Sequence, residues 1–379
     1  MSNRNTAPRK QRILVSVISD LETDQRVHKV CTTLFRAGYE VKLVGRRLKT
    51  SRPLSREYST SRMRLVFNRS FLFFAEFNIR LFFYLLFSKA DVFLSNDTDS
   101  ILANYLAARL RRKKLIFDAH EMYPEVPELA ERKFIKRIWT GIEDLIFPHL
   151  KYCYTVCQPI ADIYNERYGI HMKVVRNIPF AHVSIPEITQ KPEKKGKYML
   201  FYQGVINMGR GIDLIIDAMP YLDNCIFYIA GDGYDFQTIK KQITDSGLED
   251  RVKMLGKIPF EQLAGYTAYA DIGMSLLENK GLNYYYSLPN RIFDFIRAHV
   301  PVLASDFPEI RKIVSSYEVG RLVSNYQPEY LASVIKEMLK EKPDKNNFDR
   351  ANRELTWENE SAVLLKLVEE AIADEKTFR

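Results

Sequence analysis

Residues 198–235 restrict the possible folds of this chain more than any other stretch. Tyr198-Met199-Leu200-Phe201-Tyr202-Gln203 is an apolar, aromatic run of strand length that breaks at Gly204-Val205-Ile206-Asn207-Met208-Gly209-Arg210-Gly211. Ile212, Ile215, Ile216 and Met219 then recur at helical spacing until Pro220 stops the run. A second apolar run, residues 225–230, ends at Gly231-Asp232-Gly233. Strand, glycine loop, helix, strand and glycine loop make a right-handed parallel crossover. Its loops fall at the carboxyl edge of the sheet, where such folds bind ligands.

Such a loop suits phosphate. Glycines let backbone N–H groups approach an anion, the helix N-terminus adds partial positive charge, and Arg210 adds a full one. The spacing Gly204, Gly209, Gly211 is neither the dinucleotide fingerprint GxGxxG nor a P-loop, and it is equally compatible with a simple tight turn.

A second unit of the same kind opens the chain. Residues 13–18 form an apolar, β-branched run, residues 19–24 a polar loop, and Val27, Val30, Thr33, Leu34 and Ala37 keep helical spacing up to Gly38. Residues 41–44 give the next strand. At 379 residues the chain is long for a single core, so two α/β halves are expected, joined by a charged, proline-containing linker over residues 185–197.

Charge separates the halves. Residues 1–180 hold 31 Lys and Arg against 18 Asp and Glu, whereas the remainder has a small acidic excess. The first half therefore suits an anionic partner: a phosphorylated substrate, an acidic membrane surface or nucleic acid. Nucleic acid ranks last, because no recognition module is present. Cys31, Cys153, Cys157 and Cys225 form neither a disulfide framework nor a metal pattern, as expected of a chain in a reducing cytoplasm. Residues 1–12 are polar and basic, unlike a secretory signal, and read as a frayed tail.

Residues 71–87 are the most apolar segment, interrupted by Glu76, Asn78 and Arg80. On a helix Arg69, Glu76, Arg80 and Tyr84 form a narrow polar stripe, with Glu76 and Arg80 an i,i+4 pair. The segment is short for a bilayer span; it fits a helix on the domain core or one lying at a membrane interface beside Arg62, Arg64 and Arg69. After the strand at residues 91–95, Asp97-x-Asp99 offers two carboxylates for a divalent ion, but N-capping of the following helix by Asp97, Thr98 or Asp99 is the stronger reading. His120 follows another short strand, residues 115–117, amid Asp118 and Glu121, at the edge where ligands bind. In the second half Asp294 lies on the first turns of a helix over residues 292–298 and can reach back over the sheet edge.

Taken in order, Asp24-Gln25-Arg26-Val27, Phe117-Asp118-Ala119-His120-Glu121-Met122-Tyr123-Pro124-Glu125, Val175-Arg176-Asn177-Ile178-Pro179, Tyr202-Gln203-Gly204 with Arg210-Gly211, Gly231-Asp232-Gly233, and Ser287-Leu288-Pro289-Asn290-Arg291-Ile292-Phe293-Asp294 with Pro301-Val302 resemble a glycosyltransferase family 4 enzyme. The resemblance extends over nearly the whole chain. It implies the α/β GT-B fold: two Rossmann-like domains facing across a cleft. Residues 1–180 would form the acceptor side and residues 181–355 the nucleotide-sugar side, with a last helix in 356–379 returning to the first domain. It also implies a retaining, metal-independent sugar transfer from a nucleoside diphosphate donor, UDP- or GDP-linked and with no further cofactor, to a glycan or lipid-linked acceptor in cell-surface glycan biosynthesis. The enzyme would be cytoplasmic, peripheral at the inner membrane face.

Residue by residue, the resemblance gives Arg210 the place of the phosphate-binding lysine. Asp294 takes that of the second glutamate of an E-x7-E signature, which bonds the ribose, and His120 that of the histidine near the reaction centre. Gly256, Lys257 and Ile258 match the loop beside the nucleobase. Ser287, Leu288, Pro289 and Asn290 match the cradle around sugar and phosphate, completed by Gly204, Gly211 and Gly231. Tyr286 stands where the first glutamate belongs, and Val205 where many relatives carry an arginine; Arg291 or Lys257 are the candidates to replace that cation. Two alternatives stand beside this reading. One is a catalytically silent relative that binds nucleotide or partner proteins, and the other is an NAD-dependent oxidoreductase.

Overall fold

The computed structural model describes residues 9–68, 70–126, 129, 132–181 and 191–375. The N-terminal residues read as a tail, Arg69 of the polar stripe, and the first part of the expected linker lie outside the described residues or on their margin. The chain divides into two compact units, Met1–Asn177 with Asn359–Arg379, and Ile178–Glu358.

The first unit runs β1 (Arg12–Asp20), α1 (Gln25–Arg36), β2 (Glu40–Arg46), β3 (Ser59–Met63), α2 (Ser70–Phe87), β4 (Val92–Asn96), α3 (Thr98–Arg111), β5 (Lys114–Ala119), α4 (Lys133–Ile146), β6 (Tyr152–Thr155), α5 (Gln158–Tyr168) and β7 (Lys173–Val174). Its strands form a sheet in the order β3-β2-β1-β4-β5-β6-β7, paired in parallel throughout. The central strands are apolar on both faces because helices cover both sides. In β4, all five residues are buried. β3, with the sequence Ser-Thr-Ser-Arg-Met, escapes sequence reading because it is a polar edge strand that pairs only with β2.

The second unit runs β8 (Tyr198–Gln203), α6 (Ile212–Ala218), β9 (Cys225–Ala230), α7 (Phe236–Asp245), β10 (Val252–Gly256), α8 (Phe260–Tyr269), β11 (Ile272–Ser275), α9 (Leu282–Tyr285), α10 (Asn290–Arg297), β12 (Val302–Ser305), α11 (Pro308–Tyr317), β13 (Gly320–Val323), α12 (Pro328–Lys340) and α13 (Lys345–Glu354). The parallel order is β10-β9-β8-β11-β12-β13. One core layer packs α6 and α12 on the sheet, and a second packs α10 and α11 on its other face.

α14 (Trp357–Ala373) begins in the second unit and continues as part of the first. Leu364, Leu367, Val368 and Ala371, at helical spacing, bury its apolar face. Glu360 accepts from both the backbone N–H (2.9 Å) and Nε (3.0 Å) of Arg176, fixing the helix to the end of β7. In each unit the strand order reverses beside the first strand, between β1 and β4 and between β8 and β11. Loops leaving that point form the crevice in which open α/β sheets hold ligands.

Candidate active site

The loops after β8, β9 and β10 are stitched side by side. Gly204 N–H donates to Ala230 O (3.0 Å), Gly231 N–H to Gly256 O (2.8 Å) and Ile206 N–H to Asp232 O (3.0 Å). Gly231 is obligatory: its φ is 150°, and a Cβ there would lie 1.8 Å from Gly204 O. Gly211, with φ 67° at the N-cap of α6, likewise leaves no room for a side chain, since a Cβ would come within 2.5 Å of Leu276 Cβ. These close approaches leave a thin backbone rim at the carboxyl edge of the sheet.

Two guanidinium groups flank this rim, each laid on a tyrosine. Arg210 sits 4.8 Å from the centroid of the Tyr284 ring and Arg291 4.4 Å from that of Tyr202. The tyrosines are themselves held by the glycine loop, Tyr202 OH donating to Val205 O (2.7 Å) and Tyr284 OH to Met208 O (3.2 Å). Arg291 is 6% exposed, and its Nη1 donates to Gln203 O at 3.4 Å. Burial pushes its pKa down, and the charge of Arg210 adds to that effect against Tyr202. Among the described residues neither arginine has a carboxylate partner, and Arg210 Nε is enclosed without a hydrogen bond. Like charges brought together with an orphaned donor suit an anion.

Asp294, on the second turn of α10, is positioned by the end of β8. Gln203 Nε2 donates to Asp294 Oδ2 (2.6 Å), while Gln203 Oε1 accepts from Thr267 (2.6 Å). Arg291 and Asp294 therefore flank Gln203 from one helix. Ser287, whose Oγ donates to Tyr284 O (2.8 Å), leads through Leu288, Pro289 and Asn290 into the N-terminus of α10. Tyr286 packs edge-on against Tyr285. Gly256 (φ 66°), Lys257 and Ile258 follow β10, next to the Gly231 loop; Lys257 is exposed and lies two strands away from Gly204. Of the two candidates for the missing cation, only Arg291 lies against Gly204.

In the first unit, the loops after β1, β4 and β5 build a separate, buried charge network. Arg26 forms a bidentate pair with Asp118 (Nε to Oδ2 2.9 Å, Nη2 to Oδ1 2.7 Å) and donates to Val175 O (2.9 Å). Three of the sequence motifs thus meet at one guanidinium. His120 donates from Nδ1 to Asp97 Oδ2 (3.0 Å) and from Nε2 to Asp118 Oδ2 (3.1 Å), while its backbone N–H reaches Asp97 Oδ1 (2.8 Å). Burial opposes charge on the ring, but Asp97 and Asp118 outweigh it and raise the His120 pKa well above the ordinary value. Burial also works against the Asp118 carboxylate, yet Arg26 and His120 hold its pKa at about 2. The expected N-cap bond from Asp97 is absent. Asp97 occupies the cap position of α3 with φ 60° and no side-chain cap bond, because both carboxylate oxygens are turned to His120. The same geometry takes Asp97 away from the metal pairing with Asp99, which is buried and pushed toward its neutral form by burial and by Asp97.

Sequence reading placed Asp118 beside His120 but missed Gln203, Tyr202 and Tyr284 as parts of the second unit's site, and Arg26 and Asp97 as partners in the His120 network. Their signal was present only as residue types near a strand end, a feature shared with many residues that touch nothing.

Residues 24–179 match the family described as Glycosyltransferase Family 4, and residues 184–355 that described as Glycosyl transferases group 1. No curated protein matches the sequence. Among solved structures, a sucrose-phosphate synthase from Thermosynechococcus elongatus aligns with a TM-score of 0.76 at 17% identity, covering 96% of this chain and 100% of its own. HepE of Anabaena in complex with UDP-glucose aligns with a TM-score of 0.70 at 14% identity, over 95% of this chain and 99% of its own. WaaG, a glycosyltransferase involved in lipopolysaccharide biosynthesis, gives 0.68 at 12% identity, over 93% and 99%. At such identities the likeness speaks to the fold.

Proposed function

The chain belongs to the family 4 glycosyltransferases of the GT-B fold, and from that premise we propose that it transfers a sugar, with retention of configuration, from a nucleoside diphosphate donor to a lipid-linked or polysaccharide acceptor. The observation that carries the donor half is the pair Arg210 and Arg291, each stacked on a tyrosine and neither matched by a carboxylate among the described residues. When the bond to the sugar breaks, negative charge builds on the departing phosphate oxygens. Guanidinium groups fixed in advance stabilise that charge without reorganising, and their planar forks suit phosphate. In this reading Arg291 supplies the cation that Val205 lacks, and the two arginines provide the positive charge that makes a metal ion unnecessary.

Asp294 accepts the ribose hydroxyls, and the α10 N-terminus with Ser287 to Asn290 lines the sugar and phosphate. His120, with both ring nitrogens donating to carboxylates, acts through its fixed position and charge, not as a base. UDP is the first candidate nucleotide, because HepE has been solved with UDP and with UDP-glucose. The role of WaaG in lipopolysaccharide biosynthesis supports a lipid-linked polysaccharide as acceptor.

Thermal melting against a panel of UDP, GDP and their sugars tests the donor. A ligand at 100 times its Kd adds about 2.7 kcal/mol of stability, a clear rise in Tm. If no member of the panel raises Tm, the donor reading is wrong. Tyr286 and Val205, at positions where relatives carry charge, favour a second reading as a nucleotide-binding relative without activity. Donor hydrolysis or transfer that is lost in His120→Ala and Asp294→Ala, with folding retained, rules that out.

A further inference from the structure

We propose that Glu143 is a positioning residue for His120, acting through Thr98 and Asp97. The proposal rests on the role given to His120 in the proposed function and adds to that site a group that lies outside all the sequence motifs.

The link is short and continuous. Asp97 commits both carboxylate oxygens to His120, and its own N–H donates to Asp118 O at 2.8 Å. Its φ of 60° is a strained conformation for a residue with a side chain, and it persists only where the surroundings fix it. Thr98, the next residue and the first of α3, supplies the opposite tether. It is buried, and its Oγ1 donates across to Glu143 Oε1 on α4 at 3.0 Å. Asp97 is thus held from β5 by His120 and Asp118, and from α4 by Glu143 through the peptide bond to Thr98. When the second tether loosens, Asp97 shifts and the His120 ring shifts with it. Rates fall steeply with small displacements of a group at a reaction centre.

Glu143 is set among hydroxyls. Besides Thr98 it accepts from Tyr164 OH and Tyr168 OH of α5, both of which burial and the charge of Glu143 keep from ionising. Arg167 of α5 acts on it by charge but pairs with Asp144, the next residue of α4, at 2.9 Å; the pair of Glu125 and Lys136 lies two turns earlier along α4. Among the described residues no cation bonds Glu143, so burial dominates and its pKa rises to about 7. As a carboxylate it draws all three hydroxyls inward. Protonated, it accepts more weakly and must itself donate from one oxygen, so the Thr98 tether slackens. The pH rise that ionises Glu143 therefore tightens the Asp97 and His120 geometry while it removes stability from the fold, because the buried group prefers its proton. A residue that served the fold alone would make activity follow stability; Glu143 sets the two in opposite directions.

Nuclear magnetic resonance of the full chain, isotopically labelled at the histidine ring nitrogens, reads the link without a substrate. The His120 signals, identified by their loss in His120→Gln, should shift through a step near pH 7 in the natural sequence and in Thr98→Ser, which keeps the hydroxyl. That step should be absent in Glu143→Gln, which holds the neutral form at every pH, and in Thr98→Val, which cuts the tether. Turnover of the donor sugar that raises Tm most should follow the same pattern. We expect kcat to be at least about threefold higher at about pH 8 than at about pH 6 in the natural sequence and in Thr98→Ser, with little change in the KM for donor, and no such rise in the other two variants. Should Thr98→Val fail to fold, the near-isosteric Glu143→Gln carries the test against the natural sequence. A His120 signal without the step, a step that survives in Glu143→Gln or in folded Thr98→Val, or a kcat that falls together with stability as pH rises overturns the proposal. Nucleotide binding without the step sinks only the Glu143 link; the step without any nucleotide that raises Tm sinks only the donor reading.

Discussion

Gln203 Nε2 donates to Asp294 Oδ2 at 2.6 Å, joining the carboxyl end of β8 to the second turn of α10. This bond holds the carboxylate beside the end of β8, where in the proposed function it accepts from a ribose hydroxyl. Asp294→Ala removes that acceptor and strands the Gln203 amide. We expect donor affinity to fall about tenfold, or roughly 1 to 2 kcal/mol, with KM rising more than kcat falls. Titration calorimetry with the donor nucleotide checks the affinity.

Asp118 predicts a second effect, on stability. It is wholly buried between Arg26 and His120, so Asp118→Asn leaves Arg26 buried without its counter-charge, at a cost of about 3 to 5 kcal/mol. The pH dependence has a definite sign. With its pKa lowered from 3.8 to about 2, the carboxylate contributes stability that is present above pH 3.8 and lost as pH falls toward 2. The His120 imidazolium acts the other way: its contribution is complete below the ordinary histidine value and lost as pH rises through its raised pKa. Urea unfolding at a series of pH values should show the acid loss in the natural sequence and not in Asp118→Asn.

Glu143 gives a third. It is 1% exposed on α4 and accepts from Thr98 Oγ1 (3.0 Å), Tyr164 OH (3.3 Å) and Tyr168 OH (3.4 Å). Burial, only partly offset by these donors, raises its pKa from 4.5 to about 7. A carboxyl group that holds its proton more tightly when folded stabilises the fold below pH 4.5 and loses that contribution as pH rises to 7, a change of about 3 kcal/mol. Glu143→Gln should abolish the slope between pH 4.5 and 7; an unchanged slope assigns it to other groups.

Much of the architecture was legible because apolar runs such as Cys225–Ala230 are buried on both faces, and no surface residue interrupts the pattern. The polar edge strand β3 was illegible for the opposite reason. Site residues divide in the same way. Gly231 betrays itself, since only glycine tolerates the approach of Gly204 O, but the partner of a charge does not. Arg291 and Lys257 were equivalent candidates in the sequence, and the stacking of Arg291 on Tyr202 and its place against Gly204 separate them. Asp97 read as a helix cap because the residue type and position fit; the competing demand of the His120 ring, 23 residues further on, leaves no trace in local sequence. The segment that became α2 left open a core helix or an interfacial one, and its exposed Phe83 and Phe87 give it features of both.

The account depends most on the two arginines acting together on a diphosphate. Calorimetric titration of Arg291→Gln with the preferred nucleoside diphosphate and with its bare nucleoside measures this directly. A charged hydrogen bond to phosphate is worth roughly 1.5 to 3 kcal/mol, so diphosphate affinity should fall at least about tenfold while nucleoside affinity stays unchanged. If the diphosphate binds Arg291→Gln as tightly as it binds the natural sequence, or if the nucleoside loses as much as the diphosphate, Arg291 does not hold the phosphates.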